Sequence, residues 1–252
     1  MTAIPYKQSQ KSKKGQVEEM FNNISPKYDF LNHLFSANID KIWRKRTINL
    51  LRKHHPLDLL DIATGTGDFA IAASKIEGSR IIGVDISAGM LEVAKKKVFK
   101  KGLSSNISFQ KADSENLPFE NEKFDAAIVG FGVRNFENLH RGLNEIYRVL
   151  KPGGVCYVLE FSMPEKTPFK QIYNFYFTHI LPLIGRLISK DKSAYTYLHE
   201  SVSEFPYGEK FLTILANVGF VDNRCFPQTF GIASVYEAIK KESEQRYNKS
   251  TK

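Results

Sequence analysis

The stretch DIATGTGDFA, residues 61–70, contains the pattern Gly-x-Gly-x-x-Ala at Gly65, Gly67 and Ala70. Glycine adopts backbone conformations that other residues avoid, so this spacing allows a sharp turn between a strand and a helix. Such a turn presents backbone N–H groups at a helix N-terminus, where a ligand can approach the chain closely. Dinucleotides and S-adenosylmethionine both bind to turns of this kind, so the pattern predicts a nucleotide-type site without deciding between them.

Strand and helix patterns alternate along the chain around this turn. Five apolar runs predict strands: LDLLDI (57–62), RIIGVD (80–85), NISFQKAD (106–113), FDAAIVGFGV (124–133) and GVCYVLEF (154–161). Near-continuous apolar strands that alternate with helices are typical of a parallel sheet covered on both faces. Two further predicted strands, VDNRCF (221–226) and IASVYEAIK (232–240), end the pattern. The predicted fold class is therefore α/β, a Rossmann-like sheet that is mostly parallel and has a C-terminal antiparallel strand.

We expect one domain with helices added before the sheet and after its fifth strand. Apolar residues at helical spacing predict an N-terminal helical cap, and the alternation breaks after the fifth strand, where a helical insertion or lid is predicted. The expected boundaries are a basic flexible tail at 1–15, the domain at 16–240 with its cap at 16–54 and its lid at 163–207, and a flexible tail at 241–252.

The lid contains an aromatic and apolar stretch, IYNFYFTHILPLIGRLI (172–188). His179, Pro182 and Arg186 interrupt it, and it falls short of the roughly 20 apolar residues that a membrane-spanning helix needs. We therefore expect a helical insertion and not a transmembrane segment.

The composition is that of a folded globular protein with an excess of positive charge. The 252 residues are 42% hydrophobic and 25% charged, which excludes a disordered or fibrous chain. Cys156 and Cys225 have no metal-ligand spacing and the N-terminus has no apolar leader, so we expect a cytoplasmic protein without a metal site. The net charge of +9 favours anionic partners such as a membrane surface or nucleic acid, although much of it lies near the chain ends, where it can simply keep the termini solvated.

Acidic residues end the first three predicted strands, at Asp61, Asp85 and Asp113. Parallel sheets bind ligands at the carboxyl ends of their strands, so these carboxylates are expected at the site. A carboxylate at Asp61 would repel the pyrophosphate of a dinucleotide but attract the sulfonium and ammonium groups of S-adenosylmethionine. Asp113 offers an acceptor for an adenine amino group, and the N–H of Ser114 is available to a ring nitrogen. A single such Asp often only caps a helix or turn, but three in succession favour a site for S-adenosylmethionine.

Longer motifs around the glycine turn resemble those of one enzyme family. They are VDISAGMLEVAKKK (84–97), ADSENLPF (112–119), FDAAIVGFGVRNFEN (124–138), EIYRVLKPGG (145–154) and VLEFSMP (158–164). Together they are similar to class I methyltransferases of quinone biosynthesis, in particular the ubiquinone/menaquinone biosynthesis C-methyltransferase family. The resemblance extends over roughly residues 16–240, and GFGVRN (130–135) is far more specific than the glycine turn.

The resemblance implies an enzyme that uses S-adenosyl-L-methionine to methylate a ring carbon of a polyprenylated hydroquinone such as demethylmenaquinol. It implies cofactor contacts at Thr66, Asp85, Asp113 and Ser114, and with the first acid and the glycines the predicted cofactor-binding residues are Asp61, Gly65, Thr66, Gly67, Asp85, Asp113 and Ser114. Some members of the family have Ser where this chain has Gly130, so a side-chain contact to the cofactor is absent there.

Arg134 is the predicted catalytic residue. The acceptor carbon becomes electron-rich when the neighbouring phenol, with a pKa near 10, loses its proton. Arg134 follows the fourth strand and could hold the developing oxyanion, or it could instead pair with Glu160 at the adjacent strand end. His33, His199, Tyr195 and Glu160 are the other candidates for assisting deprotonation.

Other acceptors and other classes of protein stay open at this point. A ubiquinone precursor is an alternative acceptor, and a nucleic-acid methyltransferase, an NAD(P)-dependent oxidoreductase and a non-catalytic cofactor-binding module are alternative functions. No nucleic-acid partner is expected, because the fourth strand lacks the Asn/Asp-Pro-Pro-aromatic run of base amine methylation and no Pro-Cys nucleophile is present. If the acceptor carries a polyprenyl tail, the apolar lid could form a channel for that tail. The lid could also contact the inner surface of an anionic membrane. The sequence is compatible with a homo-oligomer.

Overall fold

The computed structural model describes residues 3–36, 38–175 and 192–242. The strands are β1 (Asp58–Ile62), β2 (Arg80–Asp85), β3 (Ile107–Lys111), β4 (Phe124–Gly130), β5 (Leu150–Phe161), β6 (Phe220–Gln228) and β7 (Ala233–Lys240). The described helices are α1 (Lys13–Ile24), α2 (Tyr28–Phe35), α3 (Ile39–Leu51), α4 (Asp68–Ala73), α5 (Ala88–Lys100), α6 (Leu139–Val149), α7 (Phe169–Phe175), α8 (Lys192–Glu204) and α9 (Glu209–Val218).

The seven strands form one sheet in the order β3-β2-β1-β4-β5-β7-β6. Strands β1 to β5 pair in parallel, whereas β7 lies between β5 and β6 and is antiparallel to both. This confirms the predicted α/β fold with a mostly parallel sheet and an antiparallel C-terminal strand.

Helices cover both faces of the sheet, which explains why most residues of the central strands β1, β4 and β5 are buried. On one face, Leu143 of α6 and Leu215 of α9 lie in a core with no solvent exposure. On the other face, Leu51 of α3, Ala70 of α4 and Val98 of α5 form a second core. Strands buried on both sides cannot show a polar and an apolar face, so their sequence has no alternation.

The N-terminal segment is packed against the helices, which differs from the predicted flexible tail at 1–15. The N–H of Ala3 donates to Glu204 Oε2 at 2.9 Å, and Ala3 is buried with Val17 and Tyr197. The N–H of Tyr6 donates to a side chain of α1 at 2.8 Å, and α1 itself begins at Lys13. The lysines of this segment suggested a solvated tail, but a few small and aromatic residues between them anchor it.

The predicted lid is described only in part. Helices α7 and α8 lie within it, and residues 176–191, which include most of the aromatic stretch, are outside the described residues, as are 243–252 of the C-terminal tail. No helix among the described residues is both long enough and apolar enough to cross a bilayer.

The strand order places the ligand cleft. The chain moves outward from β1 to β2 and β3 on one side, then returns to β4 on the other side of β1. In open α/β sheets, such a reversal leaves a crevice at the carboxyl ends of the two central strands. Here that crevice lies beside the glycine turn after β1 and the GFGVRN segment after β4.

Candidate active site

The glycine turn has the left-handed backbone that its sequence predicts. Gly65 and Gly67 have φ angles of +57° and +81°. A side chain at Gly67 would also lie 3.0 Å from Phe109 Cζ and 3.2 Å from Ala94 Cβ, so close packing against β3 and α5 requires a glycine there as well. A side chain at Gly65 would make only an ordinary contact, 3.9 Å from Tyr28 Cε1, and Gly65 lines the cleft, so its backbone is the part of the turn that a ligand can reach.

Asp85, at the end of β2, holds the turn in place. Its Oδ2 accepts a hydrogen bond from the N–H of Gly65 at 2.8 Å, and its Oδ1 accepts one from the N–H of Ser87 at 2.8 Å. Burial raises the pKa of this carboxyl to about 6, although both backbone N–H groups act in the opposite direction. Asp85 lines the cleft, so the same carboxylate that fixes the loop is available to a hydroxyl group of a ligand.

Asp61, at the end of β1, lies fully buried beneath the turn. Its Oδ2 accepts a hydrogen bond from Thr64 Oγ1 at 2.6 Å, whereas its Oδ1 has no hydrogen-bond partner among the described residues. Burial raises its pKa to about 7, and the nearby charge of Asp85 adds to the shift. A buried carboxylate with an unsatisfied oxygen next to a second acid is stabilised by a cation placed above it.

Asp113 and Ser114 lie at the opposite end of the cleft, after β3. Asp113 Oδ1 accepts a hydrogen bond from the N–H of Glu115 at 2.9 Å, and Asp113 Oδ2 lies 2.6 Å from Lys14 Nζ of α1. Lys14 also lies 3.8 Å from Glu115 Oε2. Helix α1 thus contributes a cation to the acidic end of the cleft, from a residue that the sequence placed in the predicted tail at 1–15.

The cleft has about 700 Å³ of empty space, which includes volume open to solvent. Of the predicted cofactor-binding residues, Gly65, Asp85, Asp113 and Ser114 line it. Asp61, Thr66 and Gly67 do not line it, and neither does the predicted catalytic residue Arg134. The lining residues that sequence analysis missed include Lys14, Val17 and Phe21 of α1, Tyr28 of α2, and Phe131, Asn135 and Glu137 after β4.

Thr66 points away from the cleft. Its hydroxyl donates to Asp29 Oδ1 of α2, and Lys97 Nζ donates to Asp29 Oδ2 at 2.7 Å and to Thr66 Oγ1 at 3.3 Å. The side chain therefore ties the glycine turn to the helical cap. A cofactor contact through its hydroxyl stays a prediction.

A Thr66→Val enzyme tests that placement. We expect its free energy of unfolding to fall by about 1 kcal/mol, because the half-buried carboxylate of Asp29 loses a hydrogen bond. We expect its Kd for S-adenosylhomocysteine to change less than about threefold, since the remaining backbone of the turn is retained. Chemical denaturation and calorimetric titration measure the two quantities, and a Kd increase of tenfold or more with unchanged stability would contradict the placement.

Arg134 is buried in an ion pair with Glu160. Its Nη1 lies 2.7 Å from Glu160 Oε1 and donates to the carbonyl oxygen of Phe131 at 2.6 Å. Glu160 has no solvent exposure and also accepts from the N–H of Phe161 at 2.9 Å. This is the ion-pair alternative that the sequence left open. Arg134 Nε has no hydrogen-bond partner among the described residues, so part of the guanidinium retains an unused donor.

The residue that Arg134 holds, Phe131, has an uncommon backbone. Its φ angle is +58°, a region that bulky residues rarely adopt. Its carbonyl oxygen accepts hydrogen bonds from Arg134 and from Asn135 Nδ2 at 3.3 Å, and its ring packs on Phe161 with a centroid distance of 4.6 Å. Because Phe131 lines the cleft, the GFGVRN motif shapes the wall next to the glycine turn.

The other candidates for proton transfer lie in different environments. His33 Nδ1 is 3.1 Å from Asp40 Oδ2, and His33 Nε2 is 3.6 Å from Asp68 Oδ2, in a groove separate from the cleft. His199 is exposed on α8, and the side chain of Tyr195 is outside the described part of the chain. Neither His33 nor His199 is among the described residues that line the cleft.

Known proteins share both the sequence and the fold of this chain. The model of the ubiE/COQ5 methyltransferase family matches residues 7–240. A demethylmenaquinone methyltransferase of Bacteroides fragilis is 46% identical over 237 residues, 94% of this chain and 96% of the relative. A protein of Geotalea uraniireducens named ubiquinone/menaquinone biosynthesis C-methyltransferase UbiE is 45% identical, over 93% of this chain and 100% of the relative.

Solved structures agree at the level of the fold. A SAM-dependent methyltransferase of Thermotoga maritima superposes with a TM-score of 0.63 at 19% identity, covering 89% of this chain and 99% of that one. A phosphoethanolamine N-methyltransferase of Haemonchus contortus, in complex with S-adenosyl-L-methionine, has a TM-score of 0.56 at 18% identity, covering 78% of this chain and 52% of that one. With a family match that covers nearly its whole length, this chain belongs to the ubiE/COQ5 methyltransferase family and is an S-adenosyl-L-methionine-dependent methyltransferase.

Proposed function

We propose that this enzyme methylates a ring carbon of a polyprenylated hydroquinone and converts demethylmenaquinol to menaquinol. The observation that carries the proposal is the similarity to a demethylmenaquinone methyltransferase over more than nine-tenths of both chains. A ubiquinone precursor is the alternative acceptor, because the name of the Geotalea relative covers both quinones.

The residues of the cleft fit the cofactor in charge and in hydrogen-bonding capacity. The backbone of Gly65 would contact the cationic methionine end, and Asp61, buried beneath the turn with an unsatisfied oxygen, would supply negative charge below it. Asp85 would accept from the ribose hydroxyls, and Asp113 with the N–H of Ser114 would bind the adenine edge. The left-handed turn at Gly65 permits the close backbone approach that this arrangement requires.

The chemistry needs alignment and an electron-rich carbon. When bound, S-adenosyl-L-methionine supplies a methyl group on a positive sulfur that leaves as a neutral thioether. The protein's part is to hold the acceptor carbon in line with that methyl group, which can lower the barrier by several kcal/mol, and to assist loss of the phenol proton. Arg134 places a buried positive charge next to the cleft wall. It would assist the reaction either by stabilising the phenolate or by fixing the backbone of Phe131.

We also propose that the enzyme contacts a membrane peripherally. A polyprenylated acceptor resides in the bilayer, and no helix among the described residues could span it, so we infer that the enzyme meets the acceptor at the membrane surface. The excess of +9 charges supports an anionic membrane as the partner.

A methyl-transfer assay with radiolabelled S-adenosylmethionine tests the acceptor. We expect label in short-chain menaquinol with a kcat/KM at least about tenfold above that for a demethylated ubiquinol precursor, because pocket contacts typically discriminate by 10- to 200-fold. The oxidised demethylmenaquinone is the matched control and should take up no label, since its ring carbon is electron-poor. Transfer only to the ubiquinol precursor, or to neither quinol, would contradict the proposal.

The pKa of Asp61 predicts how cofactor binding depends on pH. Its value of about 7 in the free enzyme means that the carboxyl is partly protonated near neutrality, and the ammonium group of a bound ligand favours the ionised form. Binding therefore releases a proton, so affinity for S-adenosylhomocysteine should rise from pH 6 to about pH 7.5 and then level off. Calorimetry in two buffers of different ionisation enthalpy measures the proton release, and an Asp61→Asn enzyme should lose it. Proton uptake on binding would contradict the assignment.

A further inference from the structure

A second large concavity, the basic groove, lies between α3 and α4 and has about 1150 Å³ of empty space. Its cationic lining residues are Lys41, Arg44, Lys45, Arg52, Lys75 and Lys101. Asp68 is the one acidic residue among the described residues that line it, and its carboxylate is already paired with Lys97. The floor of the groove is apolar, formed in part by Ile48 and Ile71.

Most of these cations lack a carboxylate partner in the described part of the chain. Arg44 pairs with Asp40, and Lys41 Nζ donates to Asn38 Oδ1 at 2.7 Å. Arg52 Nη2 instead donates to the backbone carbonyl oxygen of Lys75 at 3.4 Å, a hydrogen bond that leaves its positive charge uncompensated. Such a cluster raises the local positive potential and attracts anions.

An exposed apolar patch lies on the other side of α3. The rings of Phe169 and Phe230 stack with a centroid distance of 3.8 Å, and Phe230 is 67% exposed. Ile172, one turn after Phe169 on α7, is 60% exposed. Phe169, Ile172 and Phe230 form the apolar patch, and exposed aromatic and aliphatic side chains grouped in this way mark a contact with a partner or a membrane.

Helix α3 connects the groove and the patch. Trp43 Nε1 donates to Thr229 Oγ1 at 2.8 Å, and Arg46 Nη1 donates to Gln228 Oε1 at 2.9 Å, so α3 holds the loop that carries Phe230. Lys41 and Lys45, on the opposite edge of the same helix, line the basic groove. Ile42 lies between the two edges and is 52% exposed.

We propose that α3, the basic groove and the apolar patch form one face that docks on an anionic lipid bilayer. The groove cations meet lipid phosphates, its apolar floor meets the adjoining glycerol and acyl region, and the aromatic patch enters the interface. The identity of the partner rests on the proposed acceptor, whose tail is in the bilayer. Nucleic acid would bind the cations, but it would leave the exposed aliphatic side chains of Ile42 and Ile172 in water.

Vesicle flotation with the full-length enzyme tests this face. Vesicles of phosphatidylglycerol and phosphatidylcholine should bind the enzyme at low salt, and pure phosphatidylcholine vesicles should bind it far less. Lys45→Glu/Arg52→Glu/Lys75→Glu should weaken binding at least about tenfold, because each cation near an anionic surface contributes about 1 kcal/mol. Phe230→Ser/Ile172→Ser should weaken binding at high salt as well.

The matched control is on α5, which also exposes cations and an aromatic residue. Phe99 is 78% exposed, and Lys96 and Lys100 are exposed beside it. Lys96→Glu/Lys100→Glu and Phe99→Ser should leave flotation unchanged. Equal loss in this control, no vesicle binding by the unaltered enzyme at low salt, or retention of RNA in place of vesicles would each overturn the proposal.

Activity on a detergent-dispersed short-chain acceptor separates this proposal from the proposed function. The groove and patch variants should keep the unaltered turnover there, because none of their residues lines the cleft. If no quinol is methylated at all, the proposed function fails, while the flotation result still decides the docking face.

Discussion

An Arg134→Lys enzyme is expected to lose about 10²-fold in kcat at every pH, with little change in the KM for the acceptor. Lysine keeps the charge, but its ammonium group ends one bond short of Arg134 Nη1, the atom that donates to the Phe131 carbonyl and pairs with Glu160. The left-handed backbone of Phe131 then loses its main restraint, and a displacement of about 1 Å near reacting atoms can cost about 10²-fold in rate. Steady-state kinetics with saturating cofactor measures the loss.

The pH profile separates this positioning role from the predicted oxyanion role. If the guanidinium holds the phenolate, an Arg134→Gln enzyme should require a higher pH to ionise the phenol, and its rate should recover as the pH rises. If Arg134 acts through Phe131, the profile keeps its midpoint and the rate is lower throughout. The unshifted profile is the expected result, because the guanidinium pairs with the fully buried Glu160 and does not line the cleft.

A double variant controls for misfolding. Removing Arg134 alone leaves Glu160 as an uncompensated buried charge, which typically costs about 3–5 kcal/mol. Replacing both by methionine removes the charge pair together and is often close to neutral in stability. We expect this double variant to unfold near the temperature of the unaltered enzyme and still to lose activity. Full activity in a stable double variant would dismiss both roles of Arg134.

The fold follows from local patterns that the sequence contains. Apolar runs that end in Asp61, Asp85 and Asp113 predicted parallel strands and placed three acids at one edge of the sheet, and the structure has β1 to β3 in this arrangement. The packed N-terminus differs from its prediction because the burial of Ala3 depends on α8, about 200 residues away in the chain. No local pattern contains that information.

The site was predictable where the backbone determines it. Gly65 and Asp85 line the cleft because a turn after β1 and the end of β2 have to meet. The direction of the Thr66 hydroxyl depends instead on Asp29 of the cap, and no spacing in the sequence relates the two. Phe131 could have been found from the GFGVRN motif, since a bulky residue between two glycines indicates an unusual turn.

Replacing Asp85 by asparagine is expected to weaken S-adenosylhomocysteine binding by about 10²-fold or more. The carboxylate accepts from the N–H groups of Gly65 and Ser87 through its two oxygens, and an amide can accept through only one. One backbone donor then faces an NH₂ group, and the glycine turn loses its anchor. Hydrogen bonds to charged groups contribute about 1.5–3 kcal/mol each, so losing one in the loop and one to the ribose accounts for the effect. Calorimetric titration at pH 8, where Asp85 is ionised, measures it.

The free energy of unfolding of the Asp85→Asn enzyme should depend on pH. The pKa of Asp85 in the folded enzyme, about 6, lies above its ordinary value of 3.8, so the folded state binds more protons between those values. The contribution of Asp85 to stability is therefore present at low pH and declines as the pH rises through 6. The Asp85→Asn enzyme, which cannot titrate there, should be relatively more stable at pH 7 than at pH 4.5 when each is compared with the unaltered enzyme.

Asp58→Asn is the matched control, because Asp58 lies at the amino end of β1, away from the cleft. Its side chain lies 2.8 Å from Arg80 Nη2. It should leave the Kd unchanged. If Asp85→Asn bound the cofactor as tightly as this control, the acid at the end of β2 would serve only the loop, and the ribose would have to be held by other groups of the cleft.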